Sequence, residues 1–255
     1  MSYICSLKDV SSVVPKNEKE FHIKKGHLSV IKERNKGLKM CNLKKTAAFE
    51  YFVSKLVGLD LNKCPSDVGN LNKELSEYSM TRYMKLLYFF CLTDVKRKRD
   101  STNPPKGTNV LLDIFDNFKA YLNGPVEVDI YENRLNEGMF SLFTFENGRL
   151  ELRKELDSRA QNVLKETSQE VQNAIAAALS ELSGKGSKIV KNKSILKQDT
   201  TALVELAHNL SPDVWPACFY YNEEKGEISR LFNNKTLLNA EAQEFERQLE
   251  VLKEQ

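Results

Sequence analysis

The stretch MTRYMKLLYFFCLTDVKR, Met80 to Arg97, decides the fold class. It is apolar around most of a helical circumference, and a helix without a broad polar face belongs inside a core. A bilayer span needs about 18 consecutive apolar residues. The longest such run here, MKLLYFFCL (Met84 to Leu92), is shorter and reads as a buried helix. The charge run that follows, KRKRD (Lys96 to Asp100), and then STNPPKG read as an exposed, solvated loop. Its cations complement the helix dipole at the C-terminal end.

Upstream, TAAFEYFVSKLVGL has Phe49, Phe52, Val53 and Leu56 at i, i+3, i+4 and i+7, one face of a helix. Gly58 ends it. A linker with Pro65, Ser66 and Asp67 leads to a short helix over 70–78. Downstream, the pattern predicts helices over 109–122 and 126–137 that meet within YLNGPVEVDIY, Tyr121 to Tyr131. Gly124 admits backbone angles closed to other residues, and Pro125 fixes φ and suits a first helical position. The expectation is a helix–turn–helix corner. The period then switches to two in FSLFTFENGRLELRKE. Asn147-Gly148 marks a hairpin turn, with Phe143 and Phe145 sharing a face with Leu150 and Leu152. Residues 155–182 read as helical with a break near Thr167-Ser168. A flexible basic loop (Ser183 to Ser194), a helix from Thr200 to Asn209, a turn at SPDVWP and a C-terminal helix from Thr236 complete the chain. The prediction is a mainly α, compact helical domain over 41–255 with a small β-hairpin at about 140–153. Residues 1–40 show no sustained period and form a basic N-terminal extension.

The composition agrees with a globular chain. Of 255 residues, 41% are hydrophobic and 29% charged, enough apolar material for a core. The N-terminus lacks the charged start and long apolar stretch of a signal peptide, which places the chain in the cytoplasm without a membrane partner. The five cysteines have no metal-knuckle or redox spacing, and an odd number suits a reducing compartment. Net charge is +3, but residues 1–45 carry eleven Lys/Arg against four Asp/Glu, and the remainder is acidic. A basic arm is a nucleic-acid candidate. It reads first as a solvated tail, because Arg34 is its one arginine and arginine reads guanine edges best.

Motifs for chemistry are missing. There is no Gly-x-Gly-x-x-Gly, no Gly-Lys-Ser/Thr loop and no Gly-x-Ser-x-Gly elbow. Nothing ties His208 to Cys91 or Cys218 as a catalytic pair, and carboxylates lie among lysines on helices, where surface pairing explains them. The residues therefore give no enzyme, no metal centre and no cofactor.

Three blocks then carry a resemblance. Lys85, Leu86, Leu87 and Tyr88 form a Lys-Leu-x-Tyr helix. Tyr121, Gly124, Pro125, Val126 and Tyr131 form an aromatic-x-x-Gly-Pro-Val-x-x-x-x-Tyr block. LVELAHNLSPDVW supplies Leu203, Leu206, His208 and Trp215. Their order and spacing over residues 45 to 235 resemble the Panacea domain family of phage-associated, GepA-like proteins. The chain departs from that pattern at Tyr121, where the family usually has Trp, at Ala207, where it has Thr, and in the looser Ser-Pro-Asp-Val before Trp215. The resemblance implies a helical antitoxin that binds and neutralises a toxin encoded beside it, with no active site. One branch of the family instead delivers a toxin to a ClpXP-type protease, which is the alternative partner it implies.

The same residues have plainer readings. Lys85 suits a buried stem whose ammonium reaches water or a carbonyl, against a role at a toxin-contact edge. Gly124 to Val126 set an inter-helix angle, against a surface role of the kind loops often carry, and His208 is a hydrogen-bonded structural histidine, against a ligand or base. Trp215 is a core anchor or an interface hot spot. The C-terminal stripe Phe245, Leu249 and Leu252 packs on the body or is offered to a partner groove.

Overall fold

Residues 43–63, 65, 67–101, 109–121, 123–183, 194–209 and 230–231 are described by the computed structural model. They lie in the second of the two units into which the chain divides, Met1–Met40 and Cys41–Gln255. Trp215 and the stripe Phe245, Leu249 and Leu252 fall outside the described residues, as does the basic arm.

The described residues are mainly helical, as the sequence predicts. Helix α1 (Leu43–Leu56) ends where Gly58 takes φ +72°. Helix α2 (Val68–Ser76) is capped by Asp67, whose carboxylate accepts from Asn70 N. Helix α3 (Met80–Ser101) is the core: from Tyr83 to Val95 every side chain is buried, Lys85 included. Phe52 of α1 meets Phe90 edge-on at 4.9 Å. Aromatic side chains of this size each contribute roughly 1.5–3 kcal/mol when buried.

Helix α3 also runs further than its apolar stretch, so the charge run starts on a helix and not in a loop. Lys96 pairs with Glu181 at 2.9 Å, and Arg97 pairs with Asp94 at 3.0 Å. Both cations are half-buried. With counter-charges to meet, the helix has no reason to stop where hydrophobicity does. The second oxygen of Asp94 accepts from Leu111 N, which fixes the start of the next helix, α4 (Val110–Ile114).

The largest departure from expectation lies at 118–127. A β-hairpin stands where the sequence predicts a helix corner. Strand β1 (Phe118–Tyr121) runs antiparallel to β2 (Gly124–Glu127), with Tyr121 opposite Gly124 and Phe118 opposite Glu127. Gly124 has φ +86°, in the left-handed region that glycine occupies without strain. Pro125, which has no N–H, is tolerated because β2 is the edge of its sheet. All four residues of β2 are buried, with α3 packed against the strand, so no polar alternation betrays it. Helix α5 (Val128–Asn133) starts directly after β2, capped by the Glu127 carboxylate accepting from Ile130 N.

The hairpin at 143–152 is as predicted. Strands β3 (Phe143–Glu146) and β4 (Arg149–Leu152) pair Phe143 with Leu152 and Phe145 with Leu150. Asn147 and Gly148 take φ +50° and +82°, as a two-residue turn with both centres left-handed requires. Helices α6 (Leu156–Glu166) and α7 (Gln169–Leu182) are separated by Thr167-Ser168. A 3₁₀ turn (Ile195–Lys197) precedes α8 (Thr200–Asn209). The two-residue strand β5 (Arg230–Leu231) pairs with β1 and completes the order β2–β1–β5. Around α3 pack β2, α7, α8 and α4, while α1 packs on α6 and α7.

Candidate functional site

The four residues of β2 organise the site, because two buried lysines from different helices reach that strand. The first is Lys85 of α3. Its Nζ donates to the Pro125 carbonyl at 2.5 Å, inside the core. Burial pushes its pKa down to about 7. Gly124, beside it, has no room for a side chain: a Cβ there would lie 3.3 Å from Lys85 Cε and 3.3 Å from the His208 ring. His208 comes from α8, and burial, with the Lys85 charge adding to it, holds it below the ordinary histidine range. The first block (Lys85), the second (Gly124, Pro125) and the third (His208) are thus in contact at one point. In sequence, 40 residues separate Lys85 from Pro125.

The rest of the first two blocks divides by exposure. Leu86, Leu87, Tyr88 and Val126 are core side chains, and Tyr88 meets Phe118 edge-on at 5.5 Å. Tyr121 and Tyr131 are half-buried and lie edge to face at 5.8 Å. The Tyr121 hydroxyl donates to Glu132 at 2.8 Å. Burial, then Glu132, raises the Tyr121 pKa. The Arg134 guanidinium lies 3.8 Å from the Tyr131 ring centre and 5.5 Å from that of Phe145, and it donates to the Tyr131 carbonyl. The neighbouring Leu135 is one of the large apolar side chains left exposed among the described residues.

The second buried lysine, Lys45 of α1, reaches the other end of β2. Its Nζ lies 2.7 Å from Asp116, 2.7 Å from Glu127 and 2.6 Å from Asp129. Asn117 also donates to Asp129, at 2.8 Å. The three carboxylates lie within 4.8 Å of one another, close enough to share a cation, and the Lys45 ammonium is the cation they share. Burial alone would lower the Lys45 pKa, but Glu127 and the two aspartates raise it. Glu127 is pushed up to about 7 by burial, which outweighs its lysine. The group remains rich in negative charge: three carboxylates to one ammonium.

Sequence reasoning missed Lys45, Asp116, Glu127, Asp129 and Arg134. One signal was present. Lys45 stands four residues before Phe49, on the apolar face of α1, and a cation on such a face needs a buried partner. Glu50, also buried, behaves comparably: it accepts from Leu142 N at 2.6 Å and Ser141 Oγ at 2.9 Å, which pins the segment before β3.

As chemistry, both lysines are enclosed, one on a backbone carbonyl and the other among carboxylates. Neither is presented to solvent as a nucleophile. The accessible part is the Tyr121–Tyr131–Arg134 surface. Among the described residues no helix is long and apolar enough to cross a membrane. Comparison with family models, with curated proteins and with solved structures finds no match to this chain.

Proposed function

We propose that the chain is a cytoplasmic antitoxin of the Panacea type, which neutralises a toxin encoded beside it by direct protein–protein binding. One observation carries this reading. The three blocks on which the resemblance rests meet at one point in the fold, through Lys85, Gly124, Pro125 and His208. The buried members hold the hairpin, and the half-buried Tyr121, Tyr131 and Arg134 offer the surface. Tyrosine and arginine are enriched where binding energy concentrates in interfaces.

The test is co-expression with the neighbouring gene. That product alone should arrest growth, and this chain should relieve the arrest and co-purify with it. Arg134→Glu should lower the thermal unfolding midpoint through the lost ring contacts, leave the circular dichroism spectrum of the folded chain unchanged, and abolish relief. A neighbour that is harmless alone would sink the reading. If relief instead disappears in cells lacking ClpXP, delivery to that protease replaces simple occlusion.

A further inference from the structure

Helix α8 packs where α3 and β2 meet, against both of them. Its hold is light: Leu203 and Ala207 are its buried residues out of ten, against five of fourteen in α7. An element with few buried apolar side chains opens locally at low cost. Where α8 meets α3 and β2 lies the Lys85 side chain, fully buried with its Nζ on the Pro125 carbonyl at 2.5 Å. His208, in the last turn of α8, stands beside it. Lys85 Cε and the His208 ring each lie 3.3 Å from the point that a Cβ of residue 124 would occupy. Seating α8 therefore brings two bases together at one enclosed point.

The carboxylates nearby are engaged or face elsewhere. On β2, Glu127 is held by Lys45 at 2.7 Å. On α8, Glu205 is exposed, as are Asp113 on α4 and Glu170 on α7. Glu181 of α7 pairs with Lys96 at 2.9 Å, and Asp94 of α3 pairs with Arg97 at 3.0 Å. One turn to either side of Lys85 on α3 stand Tyr88 and Arg82, and the Arg82 guanidinium donates to Glu77 O and Leu196 O. Among the described residues no carboxylate forms an ion pair with Lys85. A cation buried without a counter-charge loses its hydration and gains little in return. Burial accordingly lowers the pKa of both bases, and the Lys85 charge lowers that of His208 further. With α8 detached, both bases would meet water and bind protons more readily. The closed form holds fewer protons than the open one, so each fall in pH favours opening.

We propose that α8 is an acid-released latch. On acidification it leaves α3 and β2 and uncovers Lys85, Gly124 and Pro125, while α3 stays packed on its other neighbours. In alkaline solution it stays closed. The inference is independent of the antitoxin reading and holds with or without a toxin.

The experiment follows hydrogen exchange of the full chain by mass spectrometry from about pH 8.5 to about 5.5, with rates corrected for the pH dependence of exchange in free peptides. Opening of residues 203–209 should increase about tenfold for each pH unit between 8.5 and 7.5, and should increase again, by less, below the ordinary histidine range. Residues 84–92 of α3 should stay protected throughout. Lys85→Met should abolish the increase above pH 7. His208→Gln should keep that increase and remove the one below. Protection of 203–209 that does not change with pH would overturn the latch. So would protection that is lost only in step with residues 84–92, because that is unfolding of the whole domain. An unaltered pH dependence in Lys85→Met would overturn it as well.

Discussion

At the scale of single residues, Lys85 and Gly124 set opposite tests of the same contact. Lys85 falls from 10.5 to about 7 on folding. Between those values the unfolded chain holds the proton and the folded chain does not, so stability rises with pH from about 7 towards 10.5. From pH 7.5 to 9 the gain should be about 2 kcal/mol, read from urea midpoints. Lys85→Met should abolish the rise; a parent profile that is flat across that window would refute the buried ammonium. Gly124→Ala meets both positive φ and crowding at 3.3 Å, whereas Gly148→Ala meets positive φ in open space. Strain alone should cost Gly148→Ala about 1 kcal/mol, and Gly124→Ala about 2–3 kcal/mol. Equal losses would mean that the Lys85–His208 contact does not crowd position 124.

At the scale of elements, β2 is tied at both ends by lysines from α1 and α3. Lys45→Met would leave Glu127 buried beside two aspartates without their cation, and about 3 kcal/mol should be lost at pH 8. The loss should shrink by pH 5, below the value near 7 at which Glu127 takes up its proton in the fold. A loss independent of pH would point to packing alone. The same strand shows what a sequence conceals. The hairpin at β3–β4 was legible because Asn147-Gly148 supplies its turn and the alternation of Phe143, Phe145, Leu150 and Leu152 shows one wet face. The hairpin at β1–β2 was not. Strands of four residues give too few alternations, β2 is buried throughout, and Pro125 fits a first helical position as well as an edge strand. What decides between them is the Lys85 ammonium on the Pro125 carbonyl, a contact across the chain that no local pattern encodes. Likewise α3 outruns its apolar stretch because Glu181 and Asp94 receive its cations. That Lys85, Gly124, Pro125 and His208 lie together, and that Lys45 reaches β2 at all, had to be seen in three dimensions.

At the scale of the whole molecule, the buried groups combine into one pH profile. Glu50 and Glu127 each rise from 4.5 to about 7, both chiefly through burial. In that window the folded chain keeps protons that the unfolded chain has lost, so stability falls as pH rises from 4.5 to 7. Lys85 then restores it above 7. The urea midpoint should pass through a minimum near neutrality, and Glu50→Gln should flatten its acid side. A maximum near pH 7 would contradict the burial of all three groups. The ties of α1 bear on synthesis as well. Lys45 finds its three carboxylates 71 to 84 residues downstream, and Glu50 finds the Ser141–Leu142 segment 91 and 92 residues downstream. At about 5–20 residues per second, a ribosome needs about 4–18 s to deliver them. Throughout that interval the nascent helix carries Phe49, Phe52 and an unmatched ammonium on its inner face. That interval is the time for which the inner face of α1 stays uncovered while the residues that will cover it are still being made.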